Sequence, residues 1–221
     1  MERPRLDLAF VSDVACPWCA IGLAALDQAL ARLGGEFETK VRVEPFELNP
    51  DMGPEGAEVV PYLARKYGRT PEQVAQAQAR IRERGAAVGF AFGPRNHVWN
   101  TFDAHRILHW AGLEGRALEL KRALLRAYHA EGRNPGAKDV LVELAGAVGL
   151  DAARAKAILE GDEFTAEVRE RERYWQQRGV SGVPLVVVND THAIEGAETP
   201  EGYERALRLI GERSSSAAGR P

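Results

Sequence analysis

The only cysteines in the chain are separated by two residues, in Cys16-Pro17-Trp18-Cys19, and that spacing suits thiol–disulfide exchange. A thiolate attacks a disulfide sulfur to form a mixed disulfide, and a second thiol close behind it closes a small ring and releases the reduced product. Leu6 to Val11, just before the motif, reads as a buried strand, and Pro17 fits the first turn of a helix because no N–H is required of it there. Cys16 therefore falls where a strand gives way to a helix. The free N–H groups and positive dipole end at that point stabilise a thiolate, and in such motifs the pKa falls from about 8.5 to roughly 3.5–7.5.

The same residues admit other chemistry, since a lone C-x-x-C can also be half of a zinc site or two buried thiols. His105 and His109 stand at i,i+4 on one helical face and could complete a Cys2His2 shell. They lie far from the cysteines in sequence, and the strand-to-helix placement favours redox chemistry without a metal. The H-E-x-x-H pattern is absent because Arg106 follows His105. Ser181-Gly182-Val183-Pro184 precedes another apolar run, a place where proline is tolerated as the first residue of a strand. A cis Val183–Pro184 bond would present the Val183 backbone beside the cysteines to an extended substrate; a trans proline opening a strand fits these residues as well.

The elements that must position these groups follow from composition and patterning. With 221 residues, 45% hydrophobic and 28% charged, the chain has the make-up of an ordinary globular protein, which argues against collagenous, coiled-coil and disordered readings. A net charge of −3 and a pI near 6.0 give no global positive field, so no nucleic-acid partner is expected. The apolar stretch from Leu8 to Val11 is too short for an export signal or a membrane span. The expected compartment is the cytoplasm, where two cysteines seldom form a permanent staple.

Leu6–Val11 as strand, Pro17–Leu33 as helix ending at Gly34-Gly35, and Lys40–Leu48 as strand make a βαβ opening. From Pro54 to Arg178 the pattern is helical, too long for a crossover connection. Within it, Thr70-Pro71-Glu72-Gln73 supplies a capping box, Asn100 can cap the next helix, and further helices are marked by Leu118–Tyr128, Val140–Val148 and Phe164–Trp175. Pro184–Val188 and Thr191–Glu195 joined by Asn189-Asp190 read as a hairpin, and Thr199-Pro200-Glu201 opens a final helix. The expectation is an α/β chain with a discontinuous core of residues 1–53 and 179–213, an inserted α-helical domain over 54–178, and a fraying tail over 214–221.

Val11-Ser12-Asp13 before the cysteine motif, then Gly22, Asn100-Thr101, Ala104-His105-Arg106, Ser181-Gly182-Val183-Pro184 and Glu195-Gly196-Ala197 resemble the FrnE-like branch of the DsbA family of thioredoxin-fold oxidoreductases. The resemblance runs from about Asp7 to Ile210. It implies a thioredoxin-like fold with a large helical insertion, a cis Pro184, Cys16 as nucleophile and Cys19 as resolving thiol. Trp18 stands where many periplasmic relatives have histidine, so strong oxidising power is not implied. The same superfamily includes 2-hydroxychromene-2-carboxylate isomerases and kappa-type glutathione transferases, in which serine commonly stands where Cys16 does; the retained cysteine favours redox. The implied partners are disulfide substrates and a cellular thiol reductant or oxidant, with glutathione a candidate co-substrate, no other cofactor and no membrane. His105 could line the cleft between insert and core and orient a thiol or ligand, or serve as a helix-packing residue.

Overall fold

The computed structural model describes the backbone of residues 3–218 and the side chains of residues 3–213. Its elements run β1 (Arg5–Ser12), α1 (Pro17–Leu33), β2 (Glu38–Pro45), β3 (Ala57–Glu58), α2 (Val59–Tyr67), α3 (Pro71–Ala87), β4 (His97–Val98) and α4 (Phe102–Leu113). Then follow α5 (Ala117–His129), α6 (Lys138–Ala147), α7 (Ala152–Glu160), α8 (Thr165–Gln177), β5 (Leu185–Val188), β6 (His192–Glu195) and α9 (Pro200–Ala218). The main sheet has the order β2-β1-β5-β6, with β1 parallel to β2 and antiparallel to β5.

β1 is buried on both faces, which is why its sequence reads as a continuous apolar run. Leu6, Leu8 and Phe10 pack with α1 and α9 residues such as Leu26, Tyr203 and Leu207, while Ala9 and Val11 meet Phe46, Trp175 and Leu185 on the other face. The β5–β6 hairpin turns through Asn189 and Asp190, at φ 50° and 57°. Two left-handed residues in sequence twist the turn to match the strands, and Asn and Asp tolerate that conformation best after glycine. Between β2 and β5 the helices build a second core around Ile107, Leu120, Leu124 and Tyr128. Among the described residues no helix is long and apolar enough to cross a membrane.

Several local features depart from the sequence expectation. The insert contains the two-stranded pair β3–β4, whose two-residue strands are too short to show a period. β2 stops at Pro45, so Phe46 to Leu48 lie beyond the strand. α1 ends at Gly34 in right-handed conformation, φ −60°, rather than with a left-handed glycine. The capping box at Thr70 forms as expected, Gln73 N–H donating to Thr70 Oγ1 and Thr70 N–H to Gln73 Oε1. Asn100 accepts from the Phe102 N–H at 2.9 Å, but the capping position of α4 is Thr101. Phe164 precedes α8 at φ 64°. α9 continues helically through Ala218, across much of the segment expected to fray, because serine and alanine are compatible with helix and the chain meets no glycine there before Gly219. Residues 219–221 lie outside the described residues.

Candidate active site

Cys16 is the residue that caps α1, and Cys19 completes its first turn, the Cys19 N–H donating to the Cys16 carbonyl at 3.1 Å. Both are free thiols and both are buried, Cys16 at 3% and Cys19 at 0% exposure. The two differ in direction more than in exposed area. Cys16 lies at the floor of a cleft of about 490 Å³ walled by Trp18, Leu48, Tyr67 and Val183, and Cys19 does not line it. Trp18 stands at its mouth, 37% exposed.

The two sulfurs are electrostatically unequal. The Cys19 thiol donates to Cys16 and lowers its pKa; burial opposes this, and the Cys19 and Trp18 N–H groups at the helix start reinforce it, so Cys16 is held below the ordinary thiol value. Burial pushes Cys19 well up, and the neighbouring Cys16 pushes it further. The Val183–Pro184 peptide is cis, and the Val183 carbonyl accepts from Cys16 Sγ at 3.4 Å. Gly22 makes this approach possible: a Cβ there would come 3.0 Å from the Pro184 ring and 3.3 Å from the Tyr203 hydroxyl. The loop before β5 thus reaches the start of α1 across almost the whole length of the sequence.

Behind the pair sits a polar cluster centred on Asp13, a residue to which sequence reasoning assigned no role. Asp13, fully buried, accepts from Thr101 Oγ1 at 2.8 Å, the Ala15 N–H at 3.0 Å and the Leu48 N–H at 2.7 Å. Burial raises its carboxyl, but the nearby His105 ring and the Leu48 and Ala15 N–H groups outweigh this and hold it below the usual carboxylate range. His105 Nε2 is 3.4 Å from Asp13 Oδ1 without the alignment of a good hydrogen bond. His105 is 1% exposed and does not line the cysteine cleft. It borders a separate groove of about 520 Å³ between β2 and α4–α5, which reaches neither cysteine. His105 thus borders a cleft between β2 of the core and the inserted helices, but not the one that holds Cys16, and its ring turns toward Asp13. The visible signal for Asp13 was a charged residue ending an otherwise apolar strand.

His109 lies tilted against Phe164, ring centroids 5.2 Å apart, and among the described residues no group of three or more His, Cys, Asp or Glu is arranged to hold a metal ion. Lys121 on α5 is fully buried and its Nζ has no hydrogen-bond partner. Burial lowers its pKa, opposed by the attraction of Cys19, Asp13 and Cys16. An ammonium held without a partner costs stability, so Lys121→Met is expected to raise the unfolding free energy by about 1–4 kcal/mol in urea titrations. Equal or lower stability in the variant would show that the charge is repaid by its neighbours.

Comparison with known proteins bears on this arrangement directly. Residues 7–208 match the DSBA-like thioredoxin domain. The chain belongs to that family. Over its DSBA-like domain the chain is similar to the probable DsbA oxidoreductase SCO1869 of Streptomyces coelicolor, 33% identical, with 98% of this chain and 92% of that one covered and a TM-score of 0.84. It is 27% identical to the uncharacterized protein YwbO of Bacillus subtilis (strain 168), over 89% of this chain and 92% of YwbO. The DSBA-like fold is shared with the cytosolic disulfide reductase DsbM of Pseudomonas aeruginosa, solved with GSH, at 19% identity, 92% and 98% coverage and a TM-score of 0.57. DSBA-like proteins use a redox-active cysteine pair rather than a bound cofactor.

Proposed function

We propose that the protein is a thiol–disulfide oxidoreductase of the FrnE-like branch, with Cys16 as nucleophile and Cys19 as resolving thiol. The observation that carries this reading is the placement of Cys16 at the start of α1 and the floor of an open cleft, with Cys19 behind it and the Val183 carbonyl at 3.4 Å. Cys16 attacks one sulfur of the substrate disulfide, whose other sulfur leaves as a thiolate. Cys19 loses its proton and attacks Cys16 Sγ, displacing the second thiol and leaving a Cys16–Cys19 disulfide. The Val183 backbone beside Cys16 is placed to pair with an extended chain attached to the substrate sulfur. Electrons are held in the cysteine pair, and glutathione is the first co-substrate to test for recycling it.

Equilibration of the protein in glutathione buffers of graded ratio, followed by acid quenching and thiol counting by mass spectrometry, tests the reading. One two-electron transition between dithiol and internal disulfide is expected, with a tenfold change in ratio per about 30 mV. Independent glutathionylation of both cysteines, with no internal disulfide at any ratio, would sink the dithiol mechanism.

A further inference from the structure

The cleft above Cys16 has a charge opposite to that of the chain around it. The protein carries a net charge of −3, yet the Lys and Arg side chains lining this cleft are Lys66, Arg69, Arg80 and Arg95, and no Asp or Glu is among the described residues that line it. None of the four makes an ion pair with a described carboxylate. Two are held in place by neutral acceptors: Lys66 Nζ donates to the Leu48 carbonyl at 2.8 Å and Asn49 Oδ1 at 2.6 Å, and Arg95 Nη1 donates to the Ala15 carbonyl at 3.3 Å. Arg69 lies over the Tyr67 ring at 5.6 Å. The acid that Lys66 senses is Asp13, which is fully buried and already accepts from three donors. Asp13 does not line the cleft, so the charged side chains among the described residues lining it are all positive.

We propose that this cleft selects a low-molecular-weight disulfide bearing carboxylates. This deepens the oxidoreductase reading and rests on it. A volume of about 490 Å³ falls in the range of small-molecule sites, ~300–1,000 Å³, and admits a molecule of small-peptide size. Lys66 on α2, Arg69 in the turn after it, Arg80 on α3 and Arg95 just before β4 all line the cleft that holds Cys16, so carboxylates on both halves of a disulfide would meet positive charge while the sulfurs lie near Cys16. The dithiol supplies two electrons: the substrate R–S–S–R leaves as two R–SH, and the protein leaves as the Cys16–Cys19 disulfide. Fixed charge of one sign in a cleft also raises the encounter rate with ligands of the opposite sign, an effect that salt removes.

Three disulfides of similar size test the proposal: 3,3′-dithiodipropionate, neutral 2-hydroxyethyl disulfide and cationic cystamine. Single-turnover oxidation of the reduced protein is followed for each, with free dithiothreitol as the reference for intrinsic reactivity. The anionic-to-cationic rate ratio is expected to exceed the dithiothreitol ratio by about tenfold or more at low salt. It should fall toward the reference in 0.5 M salt and in the Arg69→Glu/Arg80→Glu protein, whose substituted side chains are exposed and can be changed without opening the core. A ratio equal to the dithiothreitol reference, or one indifferent to the charge reversal, overturns the selection while leaving Cys16–Cys19 exchange standing. Failure of Cys16 to exchange with any of the three overturns the oxidoreductase reading itself, and the proposal with it.

Discussion

Cys19→Ser protein is expected to accumulate a long-lived mixed disulfide on Cys16, while Cys16→Ser captures nothing and loses turnover by roughly three orders of magnitude or more. The difference follows from the geometry of the pair. Cys16 opens onto the cleft and is held below the ordinary thiol pKa, whereas Cys19 is sealed behind it and pushed well up. Removing Cys19 takes away the thiol that releases the substrate and leaves the nucleophile. Serine still offers a hydroxyl donor toward Cys16 Sγ, but alanine does not. The alkylation rate of Cys16 should therefore titrate at a higher pH in Cys19→Ala than in Cys19→Ser, because the Cys19 hydrogen bond is the largest influence lowering Cys16. Non-reducing mass spectrometry and iodoacetamide kinetics read both results. A Cys19→Ser protein that turns over disulfides at the wild-type rate without added thiol would contradict the mechanism, whereas a glutathione-dependent isomerase would keep its own glutathione-supported activity in Cys19→Ser, because its chemistry needs no resolving thiol.

Acid is expected to weaken the fold through His129, at the end of α5. Its Nε2–H donates to the Val14 carbonyl at 2.8 Å, two residues before Cys16, and its Nδ1 is buried without a partner. Burial, with the charge of Arg95 adding to it, lowers the pKa from 6.5 to about 3. The folded ring is thus neutral where the unfolded ring becomes charged. As pH falls below 6.5 the unfolded chain binds a proton that the fold refuses, so stability present above 6.5 is lost progressively down to about pH 3. The part due to this one residue amounts to roughly 3 kcal/mol by pH 4. His129→Gln keeps a donor for the Val14 carbonyl but has nothing to titrate. Urea unfolding at pH 7 and pH 4 should show a smaller acid loss in the variant by about that amount, and parallel losses in the two proteins would refute the assignment.

Much of this arrangement was legible because it is local. The strand before Cys16 is an unbroken apolar run, the helix after it starts at a proline, Thr70 and Gln73 cap α3 reciprocally, and Asn189-Asp190 turns a hairpin. Each is settled by the conformational preferences and hydrogen bonds of residues a few positions apart, and the C-x-x-C spacing carries its own chemistry. The two strands β3 and β4 escaped because two residues display no period, and the helix continued past Arg213 because weak local composition does not by itself end a helix.

What tertiary structure decided lies in groups that burial brings together across long stretches of chain. Thr101 and Leu48 donate to Asp13, the Val183 carbonyl meets Cys16, and Lys121 is sealed near Cys19 with no partner. His105 shows the limit most directly: its place on a helix was readable, but its approach to Asp13, and to a cleft other than the one that holds Cys16, depends on how α4 packs. The cationic cleft has the same origin. Lys66, Arg69, Arg80 and Arg95 are scattered in a chain of net negative charge, and only the folding of α2, α3 and the segment after it gathers them into the cleft that Cys16 lines, because side-chain electrostatics acts through space and composition records only its sum.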